Sequence, residues 1–473
     1  MSDAAGIPEG RRIAVIGSGV AGLTAAYVLN RQDTVTLFES EPRLGGHAHT
    51  HDVPQAGGPV LGIDTGFIVH NERTYPTLLR LFAELGIETQ DSEMSMSVRC
   101  DGCGLEYAGA RAKGRGILPR PATLLRGRYL LMLLEVMRFY RRARALLAEE
   151  SPAGKNAADN AGEPELTLGA FLAREKFSRY FISHFMTPIV SAVWSCDPTT
   201  ALAYPARYLF TFLAHHGLLG VSGSPQWRTV AGGSRSYVDK LAATLPDIRL
   251  ASPVIGLRRH ADGVTVSIAT GAGTVTTETF DAVVIATHPA QALDMLTDAS
   301  PAERDALAGM PYSVNHTVFH RDSAVLPSSD NAKASWNYRL PSCDARPDKV
   351  LVSYDMTRLQ RLEPADGGRY IVSLGESELI ADHTVLERMV YEHPQYTPES
   401  LRAQQRILAL GDDRLAFAGA YHGWGFHEDG ALSGVRAAAR LGRSWDNDAV
   451  ALNQEYRAVA IDPDLQTVSA EGS

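Results

Sequence analysis

Six residues near the start of the chain restrict its fold more than any other stretch. Residues 11–16 end in a short apolar run suited to a buried parallel strand, and Gly17-Ser18-Gly19-Val20-Ala21-Gly22 comes directly after it. Residues 23–29 then read as a helix rich in Ala and Leu, and a second strand, Thr34–Phe38, ends at Glu39. A strand, a glycine turn, a helix, a strand and an acid, in that order, begin a parallel α/β sheet that holds a dinucleotide. Gly17 permits the tight turn out of the strand. Gly19, with no Cβ, lets backbone approach a pyrophosphate, and Gly22 lets the helix pack close to the sheet. The helix start, with Ser18, Val20 and Ala21 around it, offers unpaired N–H groups and the positive end of a dipole. Glu39 lies 22 residues after Gly17 and, with Ser40 beside it, accepts hydrogen bonds from ribose hydroxyls. A 2′-phosphate would be repelled there, which disfavours NADP.

Composition narrows the class further. Of 473 residues, 45% are apolar and 21% charged, which excludes collagen, extended disorder and a coiled-coil rod. The net charge of −9 makes a general nucleic-acid binder a poor expectation. Four cysteines do not make a disulfide scaffold. Residues 1–10 lack a basic segment followed by an apolar core, and the richest apolar stretch, 130–137, is broken by Glu135. The expectation is a cytoplasmic protein with reduced thiols.

The residues after Glu39 suggest the cofactor. Arg43-Leu44-Gly45-Gly46-His47 resembles the R-x-G-G segment of the FAD-dependent amine oxidase and phytoene desaturase superfamily. Further stretches resemble it in the right order. Asp64-Thr65-Gly66-Phe67-Ile68 looks like the segment beside the isoalloxazine ring, and Ala231-Gly232-Gly233-Ser234 like the return to the FAD domain. Ser252-Pro253-Val254 looks like the strand whose Val backbone meets the adenine, and Asp281 to Ala286 like the D-x-V-V-x-A strand. Phe417-Ala418-Gly419, then Gly430-Ala431-Leu432-Ser433-Gly434, resembles the closing element, in which a helix N-terminus points at the flavin. The chain departs from the pattern with Ala420 where Glu is common after Phe-Ala-Gly, and with His47 where Arg is common. It lacks the Ser-Gly-Gly-Cys of covalent flavin attachment, so the resemblance implies non-covalent FAD. It also implies an α/β fold: a Rossmann-like FAD-binding domain with an interleaved α+β substrate domain, in an amine-oxidase-like two-domain architecture. The FAD-binding domain would take residues 10–73, 228–295 and 405–463, and the substrate domain 74–227 and 296–404. Residues 151–165 read as an exposed loop and 464–473 as a loose tail.

The segment from Gly419 to Gly430 resembles a bacterial amine-oxidase-like subgroup, as do Gly46-His47-Ala48-His49-Thr50 and His393-Pro394. That likeness implies a role linked to lipids. Tyr421, Trp424 and Phe426 are expected to wall a substrate pocket, His427 is a candidate proton relay, and Asp429 could touch the cofactor or cap its helix.

Residues 111–144 carry ten basic side chains and one acid, Glu135. Over 129–147 the spacing predicts a helix with Arg128, Glu135, Arg138 and Arg142 on one face and Leu130, Leu133, Leu134 and Met137 on an apolar one. Such a stretch suits an anionic membrane surface, so the protein is expected to be peripheral to the inner face of the membrane. Cys100-Asp101-Gly102-Cys103 lacks the four ligands of a structural zinc site, and with its flanks, 94–98 and 105–107, it reads as a hairpin. His47, His49 and His51 alternate, and by their place line the cofactor site rather than hold a metal. No metal is expected. The leading expectation is an FAD-dependent oxidoreductase that oxidises or desaturates an apolar, fatty-acyl type of substrate. The alternatives are an amine oxidase for a small amine or polyamine, a redox-neutral isomerase or cyclase, and a non-catalytic FAD-binding escort.

Overall fold

The two strands around the glycine turn are Arg12–Ile16 and Thr34–Phe38, paired in parallel from Arg12 against Thr34 to Ile16 against Phe38. In a computed structural model, which describes residues 10–109, 115–149, 165–220, 223–270, 273–375 and 377–445, they form the centre of a five-stranded parallel sheet. Its order is Asp247–Arg249, Thr34–Phe38, Arg12–Ile16, Ala282–Ile285, Leu415–Phe417. Ile13, Ala14 and Val15 are fully buried, as are Val283, Val284 and Ile285. Burial on both faces explains why these strands read as unbroken apolar runs. Three separated stretches of chain thus meet in one sheet.

Two helices cross its face in close contact. The turn helix is Val20–Leu29 and the C-terminal one His427–Arg440. Glycines set their spacing: a Cβ on Gly434 would lie 2.3 Å from the Ala21 carbonyl oxygen, and one on Gly430 2.6 Å from Val20 Cγ1. Both helix N-termini are thereby held at the same end of the sheet. An antiparallel three-stranded sheet, Val254–His260, Gly263–Thr270 and Thr274–Phe280, joins this half.

The second half is built on a seven-stranded mixed sheet. Its order is Val385–Pro394, Tyr312–His320, Ile371–Leu374, Val352–Asp355, Trp336–Leu340, Met96–Cys100, Leu105–Ala108. Helices between 127 and 215 cover it with an aromatic core in which Phe139 meets Phe210 at 5.3 Å and Phe181 at 5.8 Å. The helix Pro76–Leu85 packs on the dinucleotide side, with Leu78, Leu81 and Phe82 buried beside Tyr237. Strand Thr89–Ser92 pairs with Trp227–Val230 on that side as well. The chain therefore crosses to the second half nearer residue 93 than 74.

The basic helix is Gly127–Ala148, and Glu135 leaves the arginine face on which the sequence placed it. Its buried face is Tyr129, Met132, Val136, Phe139, Ala143 and Leu146, and Glu135 lies on it. Leu131, Leu134 and Met137 are 56%, 68% and 54% exposed. Apolar residues occur all round the first turns, so the stripe read from the periodicity stays largely exposed, as a membrane-facing stripe would, while a second stripe that it did not single out meets the core. Glu135 tolerates burial because it accepts hydrogen bonds from the Ser178 N–H (2.8 Å) and hydroxyl (2.5 Å). Arg111 and Lys113 of the basic stretch, nearly all of the loop at 151–165, residues 446–463 and the tail at 464–473 lie outside the described residues. Among the described residues no helix is long and apolar enough to cross a membrane.

Candidate cofactor and substrate site

The glycine turn has the geometry its residue types required. Gly17 has φ +99°, and a Cβ on Gly22 would lie 1.9 Å from the Gly17 carbonyl oxygen. A Cβ on Gly17 would lie 2.6 Å from the carbonyl oxygen of Ala286, which closes the turn from the neighbouring strand. Gly19 differs from both: a Cβ there would meet nothing within 4 Å, so open space lies over the start of the helix. No side chain caps that helix. Free N–H groups beneath an open space form an anion cradle.

The second glycine pair seats against the first. Gly45 bridges Gly19, its N–H donating to the Ser18 carbonyl at 3.1 Å, and a Cβ on Gly46 would approach Gly19 Cα at 3.2 Å. Arg43 holds this segment by donating to the Gly46 carbonyl at 2.8 Å. Glu39 is buried at the end of its strand and accepts from the Ser18 N–H (2.9 Å), the Ser18 hydroxyl (2.6 Å) and the Glu41 N–H (2.9 Å), with Ser40 Oγ at 3.2 Å. The Ser252 N–H donates to the Glu39 carbonyl at 2.8 Å, which brings Val254 to the acid's side of the sheet.

Thr65, Gly66, Phe67 and Ile68 run beside this cradle. The Phe67 N–H donates to the His47 carbonyl at 2.9 Å, and a Cβ on Gly66 would strike that oxygen at 2.0 Å. The Ile68 carbonyl accepts from the Thr229 hydroxyl at 2.7 Å. Asp64, which the sequence placed in this segment without giving it a role, ties three segments. Its carboxylate accepts from the Thr50 hydroxyl (2.6 Å), the Ser234 hydroxyl (2.7 Å) and the Ser234 N–H (2.9 Å). Burial pushes its pKa up to about 6 against these hydrogen bonds.

His47 faces a strand the sequence hardly distinguished. Its ring lies 4.6 Å from that of Tyr391 and 4.9 Å from that of His393. The Tyr391 hydroxyl also meets Thr65 Oγ1 at 2.7 Å and His49 Nδ1 at 2.9 Å. Burial first, and then the positive charge His288 and Arg43 would add, pushes the His47 pKa down to about 4. These imidazoles are neutral at pH 7. The His393-Pro394 pair was the one signal in the sequence for this strand.

Two expectations at the C-terminal element change. His427 is buried, stacked on Phe67 at 3.7 Å and 12°, with Nε2 3.0 Å from the Tyr237 hydroxyl. Burial pushes its pKa well below the ordinary value. It is a neutral packing ring, not a relay open to substrate. Asp429 caps its own helix, accepting from the Phe426 N–H at 2.9 Å. Gly419 donates to Ser433 Oγ at 2.8 Å and lies under the Tyr421 ring. Tyr421, Trp424 and Phe426 do not make one wall. Phe426 stacks on Phe212 at 4.9 Å and Trp424 faces Tyr208 at 6.0 Å, both on the helical layer, while the Tyr421 ring packs on Gly419 and His422.

Among the described residues, Tyr396 Oη, Tyr421 Oη, His422 Nε2 and Trp424 Nε1 are buried with no hydrogen-bond partner. An unpaired buried polar atom costs about 1–3 kcal/mol, so each of these is open to a partner that the chain itself does not supply. With the open space over Gly19 and the acid at Glu39, the residues present fit FAD. Away from this site, Cys343 Sγ lies 3.9 Å from that of Cys100.

Residues 20–442 match the profile of the flavin containing amine oxidoreductase family. Over 265 residues the chain is 28% identical to AofH of Mycobacterium tuberculosis, described as a putative flavin-containing monoamine oxidase; the match covers 54% of this chain and 53% of that protein, about half of each. Cyclohexylamine oxidase from Brevibacterium oxydans superposes with a TM-score of 0.61 at 19% identity, covering 91% of this chain and 98% of the other. A CLA-producing fatty acid isomerase from P. acnes gives a TM-score of 0.61 at 17% identity, covering 90% and 98%. The glycine cradle, the acid at Glu39 and the sheet that three stretches of chain complete thus sit in a family fold, and the chain belongs to the flavin containing amine oxidoreductases, a family of FAD-dependent oxidoreductases.

Proposed function

We propose that the protein is an FAD-dependent oxidoreductase that draws an apolar, fatty-acyl type of substrate from an anionic membrane surface. FAD, when bound, supplies a carrier that accepts or returns a hydride. The chain's own residues give the rest: the cradle at Gly19 positions the diphosphate, Glu39 the ribose, and the neutral imidazoles and aromatic rings keep the pocket dry.

The observation that carries the substrate class is the outer face of helix Gly127–Ala148. Leu131, Leu134 and Met137 are 56%, 68% and 54% exposed, Leu125 in the turn just before the helix is 87% exposed, and Arg128, Arg141 and Arg144 stand exposed on the helix. An open cavity of about 700 Å³ is lined by Leu134, Met137 and Tyr140 together with Arg138, Arg141 and Arg144. Leucines beside arginines match the acyl and phosphate parts of a lipid, and each basic side chain near such a surface gains about 1 kcal/mol. From this helix, Phe139 meets Phe210, and Phe212 on that same helix stacks on Phe426 next to the flavin side. The helix Ala206–His215 thus packs on both the basic helix and the C-terminal element. The fatty acid isomerase with the same fold is consistent with an acyl substrate. A small amine is the second reading, favoured by the amine oxidases among the relatives, but it leaves the exposed leucines without a use.

The test is co-sedimentation of the flavin-loaded protein with vesicles of phosphatidylglycerol and phosphatidylcholine, followed by mass spectrometry of the acyl chains. Binding to the anionic vesicles and a two-hydrogen mass loss in an acyl chain are expected. An unchanged mass with altered double-bond position would convert the reading to isomerisation. Bleaching of the flavin by amines but by no lipid would overturn it.

A further inference from the structure

We propose that Cys100, Cys103, His184 and Cys343 form a structural zinc site that fastens the edge hairpin of the seven-stranded sheet to the helical layer. Their four ligand atoms all lie within 4.8 Å of one another, although the residues come from three separate parts of the chain. Cys100 Sγ is 3.9 Å from Cys343 Sγ, and Cys103 Sγ is 3.7 Å from His184 Nε2. Bonds of ~2.3 Å to sulfur and ~2.0 Å to nitrogen in a tetrahedron require S–S edges of about 3.8 Å and S–N edges of about 3.5 Å. All four cysteines of the chain are free, and the Cys100–Cys343 separation is far beyond the ~2.05 Å of a disulfide.

The fold assembles this quartet for local reasons. Cys100 ends one strand of the hairpin, and Cys103 sits in the turn before Leu105–Ala108. Gly104 takes φ +66° and its N–H donates to the Cys100 carbonyl at 2.8 Å, which curls the turn back. Trp336–Leu340 lies parallel to Met96–Cys100 with Leu340 opposite Cys100, so the loop after it carries Cys343 to the same end. That loop seats only because residue 102 is glycine: a Cβ there would lie 2.9 Å from Ser342 Cα. His184 comes from a π-helical turn, Ile182–Met186, a rare geometry that recurs at functional sites.

The surroundings suit a metal. His184 is fully buried, and its Nδ1 lies 3.1 Å from the Tyr180 carbonyl oxygen and 2.8 Å from Ser183 Oγ. A carbonyl only accepts, so Nδ1 carries the proton and Nε2 turns its lone pair toward the thiols, which is how a metal-binding imidazole is oriented. Arg126 donates to the carbonyls of Cys103 (2.6 Å) and Gly104 (3.1 Å). Its guanidinium offsets the single negative charge left when Zn²⁺ meets three thiolates. Three sulfurs and one imidazole form a closed zinc set with no position for water, so the role is structural. Binding releases the three thiol protons, involves no redox step, and adds its free energy to folding.

Metal content of the full-length, flavin-loaded protein, purified from zinc-supplemented cells without chelator, tests this by elemental mass spectrometry. About one zinc per chain is expected. In the cobalt-exchanged protein, tetrahedral thiolate coordination gives absorption in the red, where oxidised flavin does not absorb. Cys343→Ser and Cys103→Ser should lose that metal while keeping flavin, and Cys196→Ser, at a buried site elsewhere, should keep both. Should the cluster variants fold poorly, the wild-type protein still decides: chelation should release the zinc and expose three thiols to a thiol reagent. A folded, flavin-loaded chain that takes up neither zinc nor cobalt overturns the proposal, as does a disulfide between any two of the three cysteines.

Discussion

Gly19 and Gly22 stand three residues apart and answer to different demands. Gly19 has φ −63° and ψ 172°, open to any L-residue, and a Cβ there meets nothing within 4 Å. Its lack of a side chain serves only a ligand. Gly22 lacks one because the Gly17 carbonyl oxygen would lie 1.9 Å from its Cβ. Gly19→Ala should therefore fold with an unchanged apo-protein melting temperature and lose flavin on gel filtration. Gly22→Ala should lose stability by more than the ~1–3 kcal/mol of ordinary overpacking, because the obstacle is backbone. Absorbance of the bound flavin and apo-protein melting separate the two. A Gly19→Ala protein that keeps its flavin would show that the diphosphate does not lie over that turn.

Among elements, the interlock of two helix starts governs the site. The helix Pro76–Leu85 has no cap from its own N-terminal residue Tyr75. Glu428, from the first turn of the C-terminal helix, accepts from the Thr77 (3.0 Å) and Leu78 (2.9 Å) N–H groups instead. Removing a buried acceptor strands those donors at a cost of about 1–3 kcal/mol, and the carboxylate also favours the positive helix end. Glu428→Ala should lower the urea midpoint by that measure, and Glu428→Gln, which keeps one acceptor, by less. The parts of the fold legible in the sequence were of this local kind. Strand, glycine turn, helix and acid occupy residues 12–39 and state their own geometry. The basic helix was placed correctly and its outer apolar stripe is exposed, but the core-facing stripe and the burial of Glu135 were not legible, because Leu130, Leu131, Leu133 and Leu134 crowd the first turns with apolar residues and only tertiary contacts choose which face is buried. The sulfur cluster was invisible for a related reason. Its ligands sit at 100, 103, 184 and 343, and nothing in the CxxC says which distant residues will arrive. The roles of Asp64 and Tyr391 escaped likewise, since their partners lie on other elements.

For the molecule as a whole, burial of histidine decides the response to acid. Eleven histidines among the described residues have pKa values pushed down, chiefly by burial. For His47, His70, His216 and His320 the value reached is about 4. Unfolding returns each to the ordinary value of about 6.5, so between there and about 4 the unfolded chain binds protons that the native one refuses. The stability these residues hold above pH 6.5 is lost as pH falls through that window. Each fully buried one forfeits about 2 kcal/mol between pH 7 and pH 5. Four carboxyls act the other way, Asp64, Asp355, Asp429 and Glu165, with pKa values raised by burial, so their contribution grows on acidification. They are outnumbered, and a total stability of ~5–15 kcal/mol does not survive several such histidines. The apo-protein is expected to unfold between pH 6.5 and pH 4, above the range where ordinary carboxylates titrate. His320 provides the check. Its Nδ1 accepts from the Asp322 N–H at 3.1 Å and its Nε2 meets Ser373 Oγ at 2.9 Å, so a second ring proton must break a hydrogen bond. His320→Gln should be less stable than wild type at pH 7 yet lose less on going to pH 5. Urea unfolding at the two pH values measures both differences, and equal losses in the two proteins would show that histidine burial does not set the acid limit.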